Sequence, residues 1–292
     1  MEQLTDEFLV VCHDLFKIYK KEDLEVVGLR GLDLEVRRGE FLAIIGSSGS
    51  GKSTLLNVLA GLDRPSAGQV RVGDYDLIDM AESDRAAYRQ TNVGFLWQST
   101  SRSLLTYLRT RANIEMPMAI TGVPKKERQE RAEGLLEMVG LADKTERFPY
   151  QLSAGEQQRV AICVALANSP RLLLADEPTG ELDTVSAEGV FKALRAMAEA
   201  QGVTVIAVTH YPGVAQFVHR VVHIQDGRII SEMVGDPARK GSKGTQAEYI
   251  IVDEAGRLQL SRESLDRMGI GRRARVEMRN GEAVIRPVED GV

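Results

Sequence analysis

Between Phe8 and about Gly235, short apolar runs alternate with longer stretches in which apolar positions recur at helical spacing. Three of the runs, Phe41–Ile45, 171–175 and Thr204–Val208, are apolar at nearly every position, as strands are when both faces of their sheet are covered. Residues 127–139, behind Pro124, combine helical periodicity with many charges, which predicts a surface helix. Strands alternating with helices predict an α/β domain on a largely parallel sheet. The pattern breaks at 234–245, a Gly/Ser/Lys-rich stretch that reads as a linker. Beyond it the alternation of a half-buried strand returns at 249–252 and 283–288, with a helical piece at 261–268, a turn at 254–256 and a closing hairpin about Asn280 and Gly281. The expected division is therefore an α/β domain over 1–235, a linker over 236–247 and a small strand-rich unit over 248–292. That last unit is too short to bury a self-sufficient core, so a second copy is expected to complete it.

Composition narrows the class without naming it. The chain has 292 residues, 37 Lys and Arg against 42 Asp and Glu, a net charge of −5, and 43% apolar positions, which argues against wholesale disorder and against a polybasic nucleic-acid coat. Its start is acidic, where an export signal needs a basic start before an apolar stretch. The longest apolar stretches, 160–167 and Phe41–Ile45, fall short of the roughly 20 residues that cross a bilayer, so any membrane role is expected to come through a partner. Cys12 and Cys163 sit in apolar runs with neither a CxxC pair nor a Cys/His cluster, and read as buried thiols of a reducing compartment.

The candidate chemistry begins behind the first apolar strand. Gly46, Ser47, Ser48, Gly49, Ser50, Gly51, Lys52, Ser53 and Thr54 fit the phosphate-binding pattern G-x-x-x-x-G-K-[ST] between a strand and a helix. Its glycines let backbone N–H groups wrap an anion at a helix N-terminus, with Lys52 as a point charge and the Ser53 hydroxyl on Mg²⁺. This pattern implies a nucleoside triphosphate. Farther along, the run 172–177 carries Asp176 and Glu177 to the C-terminal end of an apolar strand, the edge where α/β sheets bind ligands. Asp176 is suited to hold the metal through water, and Glu177 to polarise the water that attacks the terminal phosphate.

Between these two lies Gln151-Leu-Ser-Ala-Gly-Glu-Gln-Gln-Arg-Val160, which resembles the LSGGQ or LSGGE signature of ABC-transporter ATPases. Locally, Ser153 and Glu156 form a capping box, and the helix start is a second anion site. The resemblance implies that Ser153, Ala154, Gly155 and Glu156 close over ATP bound by the opposite subunit. The family's other elements appear in order. Tyr19 resembles the aromatic on which adenine stacks. Gln98, ending Val93-Gly-Phe-Leu-Trp-Gln98, matches the glutamine that touches Mg²⁺ and the attacking water. Gly180-Glu-Leu-Asp183 matches the D-loop, and His210 matches the switch histidine at the γ-phosphate. The resemblance spans roughly residues 8–235, with a helical subdomain expected over about 99–165. The stretches 176–183 and 41–56 are most similar to macrolide-exporter and lipoprotein-release ATPases.

The resemblance thus implies an ATPase that hydrolyses ATP at a homodimer interface. It would drive a separate FtsX-like permease from the cytoplasmic face of the membrane. Four positions depart from the family: Ala154 replaces a glycine, Val164 an arginine, Tyr211 an acidic residue after His210, and Arg111-Ala-Asn113 a Glu-before-Asn segment facing the permease. The last two changes are expected to alter partner contacts more than chemistry. The tail from 251 to 277 resembles the AbrB-like swapped-hairpin fold, with Ser261 in place of its proline. Its arginines between 257 and 286 are interspersed with acids, which favours dimerisation over DNA binding. A soluble ABC ATPase and a nucleotide-gated DNA-binding regulator are the alternative readings.

Overall fold

The computed structural model describes residues 7–21, 24–235, 247–252, 256–279 and 282–288. The chain opens with two long strands, β1 (Phe8–Lys21) and β2 (Leu24–Arg37), then β3 (Phe41–Ile45), helix α1 (Lys52–Leu59), β4 (Ala67–Val72) and β5 (Tyr75–Asp76). After α2 (Glu82–Thr91) and β6 (Val93–Leu96) come three helices, α3 (Thr110–Ile120), α4 (Lys125–Met138) and α5 (Ala154–Leu166). The domain then runs through β7 (Leu172–Asp176), α6 (Thr184–Gln201), β8 (Thr204–Val208), β9 (Arg220–Gln225) and β10 (Arg228–Val234).

Two sheets share one core. The larger has the order β11-β10-β9-β3-β8-β7-β6, where β11 is Ala247–Ile250, and it is parallel from β9 to β6. The expected strands at 41–45, 171–175 and 204–208 lie side by side at its centre. Their apolar character follows from position: Leu42, Ile44, Leu172, Leu174, Ile206 and Val208 face one buried cluster, and Phe41, Ala43, Leu173, Ala175, Val205 and Ala207 face the other. Successive side chains point to opposite faces, so a strand covered twice must be apolar throughout. The first face is covered by α1 and by an antiparallel sheet of order β2-β1-β4-β5, an addition that the parallel pattern did not announce. The second is covered by α5 and α6, with α3 and α4 packed beyond. The expected charged surface helix is α4, which buries only Ala132, Leu135 and Leu136. Among the described residues no helix is long and apolar enough to cross a membrane.

The tail departs from its expected boundary. β11 pairs antiparallel with β10, from Ser231↔Ile250 to Val234↔Ala247. The strand expected to open a separate unit instead extends the larger sheet. The open edge of β10 offers unpaired N–H and C=O groups, and a short amphipathic strand satisfies them. The expected linker lies outside the described residues at 236–246, as do most of the turn at 254–256 and the hairpin tip at Asn280 and Gly281. The helical piece is α7 (Arg262–Arg267), with Ser261 as its N-cap accepting from the Ser264 N–H at 3.1 Å. Strands β12 (Ala274–Arg279) and β13 (Glu282–Pro287) form the expected antiparallel hairpin. Its register gathers Ala274, Val276, Met278, Ala283, Ile285 and Pro287 on one face, and Val276 and Met278 there are exposed.

Candidate nucleotide site

The site lies at the C-terminal ends of β3, β7 and β8. Leaving β3, the chain turns through 46–51 into α1. Gly51 has φ 108°, and a Cβ there would lie 2.5 Å from the Gly28 carbonyl oxygen, so only glycine fits. Lys52 opens α1 and is 7% exposed. Its Nζ donates to the Gly46 and Ser47 carbonyls at 2.7 and 2.8 Å, and burial lowers its pKa against the pull of Glu177 and Asp176. The Ser50 hydroxyl is buried without a hydrogen-bond partner. An ammonium satisfied only by its own loop and an orphaned hydroxyl beside a helix N-terminus together suit a polyphosphate.

The Ser53 Oγ lies 3.5 Å from Asp176 Oδ1. Burial raises the Asp176 pKa, with Ser53, Lys52 and Arg102 opposing. This oxygen-only pair suits a hard cation. No group of three or more His, Cys, Asp or Glu able to hold a metal occurs among the described residues, so such a cation would draw its other ligands from neutral oxygen donors, phosphate and water. Glu177 follows with φ 48°, a left-handed conformation that costs a non-glycine residue about 1–3 kcal/mol. Its N–H donates to the Val208 carbonyl at 2.9 Å. Its Oε1 lies 3.2 Å from His210 Nε2, and its Oε2 accepts the His210 backbone N–H at 3.1 Å. A carboxylate and an imidazole, remote in sequence, thus share one edge of the sheet with the phosphate loop.

The remaining expected residues sit around this centre. Gln98 is exposed, with its Nε2 beside Gly180. The Tyr19 ring lies against Thr54 and Gly28. Its hydroxyl donates to Asp63 Oδ2 at 2.7 Å, and burial together with that carboxylate raises its pKa. Ser153 is an exposed N-cap: its N–H donates to Glu156 Oε2 at 2.8 Å, its Oγ accepts the Glu156 N–H at 3.3 Å, and the Ser153 backbone bond lowers the Glu156 pKa. Ala154 is exposed beside it, and Gly155 is buried near Ser186. Asp183 caps α6, accepting from the Val185 and Ser186 N–H groups at 3.0 Å and from Ser186 Oγ at 2.7 Å. The Ser186 hydroxyl is the largest cause of its lowered pKa. Both carboxylate oxygens of Asp183 are thereby engaged by the first turn of its own helix. Arg111 pairs with Glu115 of its own helix and ties α3 to its surroundings through Glu133 and Glu146. The buried Asn113 accepts the Leu105 N–H and donates to the carbonyls of Leu105, Leu108 and Arg109, ordering the loop behind Gln98.

Two features escaped the sequence reading. The Gly227 N–H, in the β9–β10 turn, donates to the Ser50 carbonyl at 2.9 Å, bracing the phosphate loop from behind. The Asp226-Gly227 pair was a turn signal, but nothing in it named the loop it would touch. The second is not Tyr211 itself but the seat of its ring, which stacks on Phe191 at 5.5 Å.

A family profile described as ABC transporter matches residues 29–180. An uncharacterized ABC transporter ATP-binding protein, YknY of Bacillus subtilis, is 44% identical over 215 residues, covering 74% of this chain and 91% of its own length. The lipoprotein-releasing system ATP-binding protein LolD of Chromohalobacter salexigens is 42% identical, covering 77% of this chain and 94% of its own length. The macrolide export ATP-binding/permease protein MacB of Syntrophobacter fumaroxidans is 44% identical over 78% of this chain, which spans only 32% of that protein. Among solved structures, the dimeric post-hydrolysis state of the ATP-binding cassette MJ0796, bound to ADP and Pi, is 35% identical with a TM-score of 0.69, covering 77% of this chain and 98% of that one.

Proposed function

The chain belongs to the ABC transporter family, as an ATP-binding subunit that hydrolyses ATP, and from that premise we propose that it works as a homodimer driving a separate FtsX-like permease from the cytoplasmic face of the membrane. The observation that carries the chemistry is the meeting of Ser53 with Asp176 and of Glu177 with His210 on one sheet edge.

In this reading the phosphate loop and Lys52 cradle the triphosphate, and Tyr19 stacks on adenine. Ser53, Asp176 and Gln98 would hold Mg²⁺, which when bound would neutralise charge on the phosphoryl oxygens. Glu177 orients and deprotonates the attacking water, and His210 steadies the γ-phosphate. Catalysis then rests on positioning and electrostatics, as phosphoryl transfer generally does. Ser153, Ala154 and Gly155, exposed or lining a helix start, complete the site of a second copy, with Glu156 fixing the cap and Asp183 fixing the loop between them. The dimeric cassette among the structural neighbours supports that arrangement. High coverage of YknY and LolD supports a permease on another chain. A pull-down from detergent-solubilised membranes, read by mass spectrometry, tests the partner: an integral membrane protein is expected, and recovery of none sinks the permease.

The tail is read as a dimerisation unit that keeps two ATPase domains together without nucleotide. The apolar face of the β12–β13 hairpin supports this, because a two-stranded hairpin alone is marginally stable in water. Since β11 belongs to the ATPase sheet, the informative truncation ends after Val252 and not at 235. Analytical ultracentrifugation in nucleotide-free buffer is expected to give a dimer for the full chain and a monomer for the truncated one; equal masses sink the tether.

A further inference from the structure

We propose that Tyr211 is the positioning residue of the switch loop, its ring holding His210 against Glu177. The inference rests on the reading of His210 given above and concerns what keeps that side chain in place.

The loop leaves β8 at Thr209, which is buried and accepts the Tyr211 N–H on its hydroxyl at 3.0 Å. That bond and the Val214 N–H to the Tyr211 carbonyl, at 3.1 Å, shape the turn. They are local to the loop, whose base is held by the Thr209 N–H on the Ile44 carbonyl and the His210 N–H on Glu177 Oε2, both at 3.1 Å. Beyond His210 the Tyr211 ring joins the loop to α6: it stacks on Phe191 with centroids 5.5 Å apart and planes 21° apart, and Phe191 stacks in turn on Phe217 at 5.7 Å and 14°. Phe191 is fully buried, so the stack roots the loop in the helix that begins at Asp183. On the other side lies a cleft of about 350 Å³ lined by Gly46, Ser47, His210, Tyr211, His223 and Met233 among others. A loop released from α6 therefore has room to slump toward the phosphate loop and carry His210 away from Glu177. An acidic side chain at 211 could not stack in this way, so the departure from the family pattern has a structural consequence here.

Gly213 supplies an independent handle. Its φ is −85°, which alanine adopts without strain, yet a Cβ there would lie 2.7 to 2.9 Å from Cε1, Cζ and Oη of Tyr211. The ring covers Gly213 so closely that Gly213→Ala must shift it from its present seat.

The test is steady-state ATP hydrolysis by the full chain carrying Tyr211→Phe, Tyr211→Ala, Gly213→Ala, the Tyr211→Ala/Gly213→Ala pair or His210→Ala, with melting temperature measured beside each. A shift of His210 by about 1 Å is expected to lower kcat on the order of tenfold to a hundredfold. Tyr211→Ala and Gly213→Ala should each show that fall while the KM for ATP changes less than about threefold, a split that general destabilisation does not produce. Tyr211→Phe should retain wild-type kcat, and Gly213→Ala should add nothing once the ring is gone, as coupled positions in a double-mutant cycle require. If His210→Ala abolishes turnover while Gly213→Ala and Tyr211→Ala both keep wild-type kcat, the positioning role is wrong and the reading of His210 stands. If His210→Ala itself turns over normally, the reading of His210 falls and takes this inference with it.

Discussion

Replacing Gly227 with alanine should loosen the phosphate loop without changing the identity of any residue that meets the nucleotide. Gly227 has φ 77° and sits behind the loop, its N–H on the Ser50 carbonyl at 2.9 Å and its carbonyl accepting the Arg30 N–H at 3.0 Å. A Cβ there would lie 2.9 Å from the Gly28 carbonyl oxygen, 3.0 Å from Leu29 Cα and 3.1 Å from the Arg30 nitrogen. All three are backbone atoms, so no side-chain rotation relieves the crowding. A left-handed φ costs alanine about 1–2 kcal/mol, overpacking about 1–3 kcal/mol, and a lost hydrogen bond to Ser50 about 1 kcal/mol. Gly39→Ala isolates the first cost, because Gly39 has φ 72° and nothing within 4 Å of its Cβ position. At about 2–4 °C per kcal/mol for a domain of this size, Gly39→Ala should lower the Tm by a few degrees and Gly227→Ala by roughly 8 °C or more. Calorimetric titration with Mg-ATP should show unchanged affinity for Gly39→Ala and at least about tenfold weaker binding for Gly227→Ala, the equivalent of 1.4 kcal/mol. If the two variants match in both Tm and ATP affinity, the brace contributes nothing and the argument fails.

Asp176→Asn should raise the Tm of the nucleotide-free protein at neutral pH while lowering turnover at least about tenfold. Burial lifts the Asp176 pKa, so the carboxyl favours the fold in acid and loses that contribution as pH rises through its raised value; a lower Tm for the amide would refute this. Burial pushes the Cys12 thiol from 9.0 up to about 12 and also lifts Cys163. Neither should react with a thiol reagent at pH 8 in the native protein, and the stability they contribute should hold below pH 9 and fade toward pH 12; Cys12→Ala should flatten that alkaline decline in urea titrations, and an unchanged slope would count against it. Ala154→Gly should leave the ATP affinity of a single chain unchanged and alter ATP-dependent pairing, since the methyl is on the exposed start of α5. Glycine there costs up to about 1 kcal/mol relative to alanine, so Tm must be read beside sedimentation, and identical pairing would mean that the position is not tuned.

What the sequence disclosed was whatever depends on local pattern. Phe41–Ile45 and Thr204–Val208 are apolar at nearly every position because both faces are covered. The phosphate loop was legible for a similar reason: glycines and a lysine at fixed spacing leave few other uses. Order along the chain put Asp176, Glu177 and His210 on the list, but the pairing of Glu177 with His210 depends on β7 and β8 lying side by side, which no local signal contains. The brace from Gly227 to Ser50 and the stack of Tyr211 on Phe191 stayed hidden because both join residues from separate elements. The tail misled at its start. The run at 249–252 implied a strand, which forms two residues earlier, over Ala247–Ile250; a period of two says nothing about which edge a strand will join, and the open edge of β10 took it.

In the proposed cycle two chains close on ATP and Glu177 then drives its hydrolysis. The most direct measurement is the nucleotide content and mass of Glu177→Gln after incubation with Mg-ATP and gel filtration. The amide keeps the shape of the side chain but cannot take a proton from water. The expected result is a particle of doubled mass holding one intact ATP per chain, with phosphate release at least about a hundredfold below wild type. Wild-type phosphate release by this variant, or a particle that retains no ATP, would contradict it.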